Sequence, residues 1–259
     1  MNSAPRVYRR TLKVFAAYSR GYLRRRFHSL RVLKGALPPR DCRQPVAIYL
    51  NHAAWWDPLV CLVLAREFFP SRSSFAPIDA AMLERYRIFK RLGFFGIEKG
   101  TTRGARTFLR TAQSTLASSA NALWLTPQAR FADVRERPPR LQDGLGALAT
   151  LNPSVAFIPL AIEYSFWTEP RPEILVAFGS PIFPMADRTA GEWTRIFTRA
   201  LEQTQDELAA HSRSRHPADW LVLNRGKSGV NAIYDAWRGL RARFGGQPFA
   251  RPHDVELSR

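Results

Sequence analysis

Two cysteines in 259 residues, Cys42 and Cys61, are too few for a disulfide framework and have no metal-binding spacing, which suits a reducing compartment. No apolar run approaches the ~18 residues of a membrane span. The richest stretches, residues 59–65 and 155–162, read as core, so the chain is not expected to cross a bilayer. Internal repeats, low-complexity tracts and zinc-finger, homeodomain or RNP signatures are also missing. The largest deficit is of acid. There are 21 Asp and Glu against 39 Lys and Arg, a net charge of +18, and residues 1–34 carry no acid at all. That imbalance implies an anionic partner: nucleic acid, an anionic membrane surface, or an acidic substrate or carrier.

What is present reads as a folded α/β protein. A hydrophobic content of 46% rules out global disorder. Short apolar strands are expected at residues 46–50, 74–78, 94–97, 122–125, 155–162 and 174–178. Amphipathic helices follow Asp57-Pro58, Asp79 and Thr101, and a long one covers residues 189–211. The helix after Asp79 is expected to bury Met82, Tyr86, Phe89 and Leu92. Strands separated by helices argue for an α/β fold with a single mixed sheet flanked by helices.

Three segments are expected. Residues 1–34 form a basic amphipathic helix, with Tyr8, Leu12, Phe15, Tyr18 and Tyr22, then Leu23, Phe27, Leu30 and Leu33, on helical spacing and Gly21 as a candidate break. Aromatic residues alternate with cations there, which favours a membrane-surface segment over a transit peptide, a nucleic-acid arm or a helix docked on the domain. Residues 35–224 form the main domain. Residues 225–259 are a basic tail with one amphipathic piece, Val230, Ile233, Tyr234, Trp237, Leu240 and Phe244, and a poorly ordered end from Gln247.

The chemistry centres on Asn51-His52-Ala53-Ala54-Trp55-Trp56-Asp57-Pro58, where a strand gives way to a helix. A histidine with a nearby carboxylate serves as a general base, the carboxylate setting its tautomer and stabilising the imidazolium. Five positions along a plain helix would swing His52 and Asp57 apart, so their pairing needs the intervening turn. On spacing alone an alternative stands beside it: Asp57 as helix N-cap, Pro58 at the first helical position, and His52 as a surface residue.

This block resembles the first motif of the glycerolipid acyltransferase superfamily, the 1-acylglycerol-3-phosphate acyltransferases and their relatives. Gly96-Ile97-Glu98-Lys99 corresponds to the family's second block, Phe-Ile-Asp-Arg. Pro127-Gln128-Ala129-Arg130-Phe131-Ala132 corresponds to the third, Pro-Glu-Gly-Thr-Arg-Ser, and residues 155–162 to the proline-containing fourth. The third block diverges, with Gln128 for the acid, Ala129 for glycine and Phe131 at the arginine position.

The resemblance implies acyl transfer from an acyl-CoA or acyl-carrier-protein thioester to a hydroxyl of a lipid-like acceptor, of lysophosphatidate or lysophospholipid type. His52 would be the base and Asp57 its orienter, without a covalent intermediate, metal or further cofactor. Lys99, Arg103, Gln128 and Arg130 would hold the substrate, and Trp55 and Trp56 would wall an acyl channel. The implied setting is peripheral, on the cytoplasmic face of an anionic membrane, with no nucleic acid expected. The rivals are a non-catalytic basic nucleic-acid-binding protein and a non-catalytic lipid binder.

Overall fold

The computed structural model describes residues 7–39, 42–185 and 187–226. The segment Val230, Ile233, Tyr234, Trp237, Leu240 and Phe244, and the end from Gln247, lie outside the described residues.

Helix α1 (Arg9–Arg26) leads into strand β1 (Ser29–Leu33). Strand β2 (Val46–Leu50) is followed by α2 (Asp57–Phe68), then β3 (Ser73–Asp79), α3 (Ala80–Arg85) and α4 (Ile88–Arg91). Strand β4 (Phe94–Ile97), α5 (Thr102–Leu116), β5 (Asn121–Leu125) and α6 (Gly144–Thr150) come next. The chain continues through β6 (Ala156–Ser165), β7 (Glu173–Phe178), α7 (Ala190–Ser214) and β8 (Trp220–Arg225). The strands form one mixed sheet in the order β4-β3-β5-β2-β6-β7-β1-β8. The fold is α/β, a single mixed sheet flanked by helices.

Five neighbours, β4 to β6, run parallel, so the ends of β2, β3, β4 and β5 (Leu50, Asp79, Ile97 and Leu125) share one edge of the sheet. Strand β2 sits centrally and all five of its residues are buried. Val46, Ile48 and Leu50 face a core shared with α1 and α2, where Leu23, Phe27, Val60 and Leu64 pack. Ala47 and Tyr49 face the opposite core with Leu145, Leu148, Trp193, Phe197 and Leu201 of α6 and α7. The two-residue period of a strand thus feeds both layers, and a strand covered on both faces reads as a continuous apolar run. Strand β6 pairs parallel with β2 up to Leu160 and antiparallel with β7 from Leu160 onward. Pro159, which has no amide hydrogen to donate, stands at that handover.

Helix α7 begins with the capping box of Thr189 and Glu192 and ends at Arg215 in a left-handed conformation. Asp79 accepts a hydrogen bond from the Ala81 amide at 2.9 Å, and Thr101 Oγ1 one from the Gly104 amide at 2.9 Å, as N-caps should.

Three expectations are corrected. Helix α1 runs unbroken through Gly21 but stops at Arg26, and Leu30 and Leu33 belong to β1, an inner strand between β7 and β8. A short run buried on both faces has no period of its own, so Leu30 and Leu33 matched a helical spacing by coincidence. The helix after Asp79 breaks at Tyr86, and Met82 and Tyr86 face solvent while Leu83 turns inward. Among the described residues no helix is long and apolar enough to cross a membrane.

Candidate active site

The site assembles on the shared strand-end edge, where loops are held rigidly by the sheet beneath them. Asn51, the first residue past β2, is buried. Its side-chain amide donates to the Ile162 carbonyl at 2.9 Å and its carbonyl oxygen accepts from the Ile162 amide at 2.8 Å. It therefore continues the β2–β6 pairing one residue beyond the strand and fixes where the next residue leaves.

That next residue is His52, and its backbone is held from both sides by the turn after β5. The His52 amide donates to Gln128 Oε1 at 2.8 Å, and its carbonyl accepts from the Ala132 amide at 2.9 Å. Gln128 is buried, so this residue of the third block positions the histidine backbone. Ala129 adopts a left-handed φ of 54°, the conformation for which glycine is suited.

His52 Nδ1 lies 2.7 Å from Asp57 Oδ2. The Ala54 amide donates to the same oxygen at 3.1 Å, and Tyr164 Oη donates to Oδ1 at 2.6 Å. Asp57 is only 1% exposed and makes no cap bond to the helix it starts. The capped-helix alternative is therefore not the geometry seen: Asp57 and Pro58 open α2, but the carboxylate turns back toward the histidine. With Asp57 ionised, Nδ1 carries the proton and Nε2 is left as an acceptor, an assignment made from the hydrogen-bond network. Burial, then the charge of Asp57 and the bond to it, push the Tyr164 hydroxyl well above its usual range, so it remains a donor. The Cys61 thiol is raised by burial and by Asp57, which makes it a poor nucleophile.

Tyr164 carried no signal in the motif. Its place follows from the two-residue period of β6, which sets it on the same sheet face as Leu160 and Ile162, beneath α2. Phe131 was also unforeseen. Its ring centroid lies 4.3 Å from that of His52, and the side chain is 57% exposed.

The expected substrate-binding cations separate. Arg130 pairs with Glu136 within its own loop. Lys99 and Arg103 are exposed, without an ion-pair partner among the described residues, at the end of β4 and the start of α5. Strand β4 lies three positions from β2, about 14 Å at the usual strand spacing. They share the edge with His52 without touching it. Trp56 packs edge-on against Phe27 at 5.2 Å, whereas Trp55 is 64% exposed. A cavity of about 760 Å³ opens beside the His52–Asp57 loop, lined by Ala53, Ala54, Trp56, Ala132 and Tyr164 among others, though not by His52 itself. Among the described residues no three His, Cys, Asp or Glu side chains gather as a metal site. The arrangement is equipped for proton transfer.

No family model and no curated protein matches the sequence. Among solved structures, the chain is similar to the crystal structure of the 1-acyl-sn-glycerophosphate (LPA) acyltransferase PlsC from Thermotoga maritima. The two are 13% identical with a TM-score of 0.52, over 77% of this chain and 80% of that one. At that identity the likeness is one of fold, and it establishes the fold in which the His52–Asp57 loop is set.

Proposed function

We propose that this chain is an O-acyltransferase that moves a fatty acyl group from an acyl-CoA or acyl-carrier-protein thioester to a hydroxyl of a lipid-like acceptor, of lysophosphatidate or lysophospholipid type. The observation that carries the reading is the His52–Asp57 contact, braced by Tyr164 and by the two backbone bonds of His52.

His52 Nε2 accepts the acceptor's hydroxyl proton as its oxygen attacks the thioester carbonyl. The tetrahedral oxyanion then collapses, the C–S bond breaks, and the departing thiolate takes the proton from the imidazolium. Asp57 holds the ring and stabilises its cationic form during the transfer. No acyl-enzyme is needed, and no further cofactor. Lys99 and Arg103 supply positive potential on the same edge for an anionic substrate, while Gln128 positions the base. Trp56 supplies apolar wall to the cavity beside the loop, and Trp55 an exposed aromatic surface.

The setting is the cytoplasmic face of an anionic membrane, with the protein held peripherally through α1. That helix leaves Val14 and Tyr18 exposed among its cations, with Tyr8 exposed just before it, as an interfacial helix would. The test is thiol release from a long-chain acyl-CoA or acyl carrier protein over a panel of lysophosphatidate, neutral lysolipids, glycolipids and no acceptor. Acceptor-dependent release is expected. Silence with both donors across the panel would remove the transferase reading in favour of a non-catalytic lipid binder.

A further inference from the structure

The divergent third block leaves its loop short of an available guanidinium. Phe131 occupies the position where the resemblance expects arginine. Arg130 is bound to Glu136, Arg135 to Asp133 at 2.6 Å and Arg137 to Asp206 at 2.8 Å. At these three arginines a substrate phosphate would have to displace an existing ion pair, and Arg140, 84% exposed, only approaches the already engaged Glu136 at 4.0 Å.

The cavity beside the loop is differently equipped. Its apolar floor includes Phe27, Trp56, Tyr164 and Phe166. Two further arginines reach it, Arg26 at the end of α1 and Arg213 in the last turn of α7. Both are exposed, and neither has a carboxylate partner among the described residues. Arg26 lies over the Tyr22 ring, its guanidinium carbon 5.7 Å from the centroid. The two acids on the lining are engaged: Asp133 with Arg135, and Glu163 with Ser212 Oγ at 2.6 Å. A cation in the last turn of a helix also complements the helix dipole. That accounts for each arginine separately but not for two helices, from opposite faces of the sheet, delivering them to one apolar cavity.

Resting on the acyltransferase reading above, we propose that Arg26 and Arg213 form the anion clamp of this enzyme, binding the phosphate of a substrate whose apolar part lies on the cavity floor. The planar guanidinium matches phosphate in paired hydrogen bonds, and a cavity of about 760 Å³ is of the size that holds such an amphiphile. The phosphate belongs either to the acceptor's headgroup or to the donor's pantetheine arm.

The experiment titrates His52→Ala protein, which does not turn over, with lysophosphatidate, monoacylglycerol, 4′-phosphopantetheine and pantetheine by calorimetry. Arg26→Ala and Arg213→Ala are introduced singly into that background, with Arg110→Ala, an exposed arginine of α5 outside the cavity lining, as a control of equal charge. Each of the first two is expected to weaken one phosphate ligand roughly tenfold, with partial recovery in the lysine variants. The control is expected to stay within about twofold. Loss confined to lysophosphatidate assigns the clamp to the acceptor; loss confined to 4′-phosphopantetheine assigns it to the donor. Unchanged affinities for all four ligands, an equal loss in the Arg110 variant, or an equal loss for monoacylglycerol or pantetheine overturns the proposal. Because binding is read without turnover, arginine-dependent binding combined with no thiol release by the wild-type protein would sink the transfer reaction and leave the clamp standing.

Discussion

Asp57 faces three donors at once: the His52 ring, the Ala54 amide and the Tyr164 hydroxyl. A carboxylate supplies acceptors for all three, whereas an amide of the same shape presents an NH2 group to at least one of them. Asp57→Asn should therefore fold and yet lose roughly 10²–10⁴-fold in kcat, the usual worth of a positioned base. Circular dichroism alongside steady-state kinetics checks both halves. Ala129 offers an opposite test. Its left-handed φ of 54° strains a side chain, and glycine removes the strain while adding freedom to the unfolded chain. Ala129→Gly should raise stability by about 0.5–1 kcal/mol in urea unfolding. At this scale the sequence disclosed the histidine, the aspartate and the strand-to-helix junction, because short-range spacing encodes them. Tyr164 stayed hidden because its contact spans 107 residues and depends on which strand lies beside β2. The role of Gln128 stayed hidden for the same kind of reason: its carbonyl oxygen reaches a backbone amide 76 residues away.

At the scale of elements, strands β2 to β7 were legible because apolar runs between capped helices leave few alternatives. The pair β1 and β8 was not. Strand β1 carries a buried charged cluster where an apolar strand would be sought. Glu173 at the start of β7 lies 2.5 Å from His28 Nδ1, accepts from Arg31 Nε at 3.2 Å, and also accepts from Ser29 Oγ. Burial alone would raise the Glu173 carboxyl, but the His28 bond, the Arg31 charge and the Ser29 bond outweigh it and hold the carboxyl below its usual 4.5. A carboxyl depressed in the folded state contributes stability above the unfolded value and loses it as pH falls through the folded value. Glu173→Gln should therefore be destabilised near neutrality, where it removes the buried carboxylate that His28, Ser29 and Arg31 share. Its deficit relative to wild type should shrink as pH is lowered below about 4.5. Unfolding midpoints from pH 7 to 3 test this, and a constant deficit across the range would contradict it.

Across the whole molecule, the net charge of +18 and the exposed aromatic residues of α1 bear on the partner. Attraction to an anionic bilayer is screened by salt, while insertion of aromatic side chains is much less so. Replacing Val14 and Tyr18 with serine should lower cosedimentation with anionic vesicles at 0.15 M salt several-fold and lower the melting temperature only slightly, since both side chains are more than half exposed and Tyr18 gives up only its ring contacts with Phe15 and Tyr22. Electrophoretic shift with DNA or RNA run in parallel separates this from the nucleic-acid reading, which predicts tight nucleic-acid binding insensitive to that pair. The composition indicated an anionic partner without specifying which, because net charge is a property of the sum and recognition depends on where the charges sit.

The most direct measurement of the central claim compares wild type and His52→Ala for acceptor-dependent thiol release from a long-chain acyl thioester, with vesicle binding measured on the same preparations. The His52–Asp57 geometry predicts that release disappears in the variant while vesicle binding is retained. Comparable turnover in both proteins would contradict the assignment of His52 as the base.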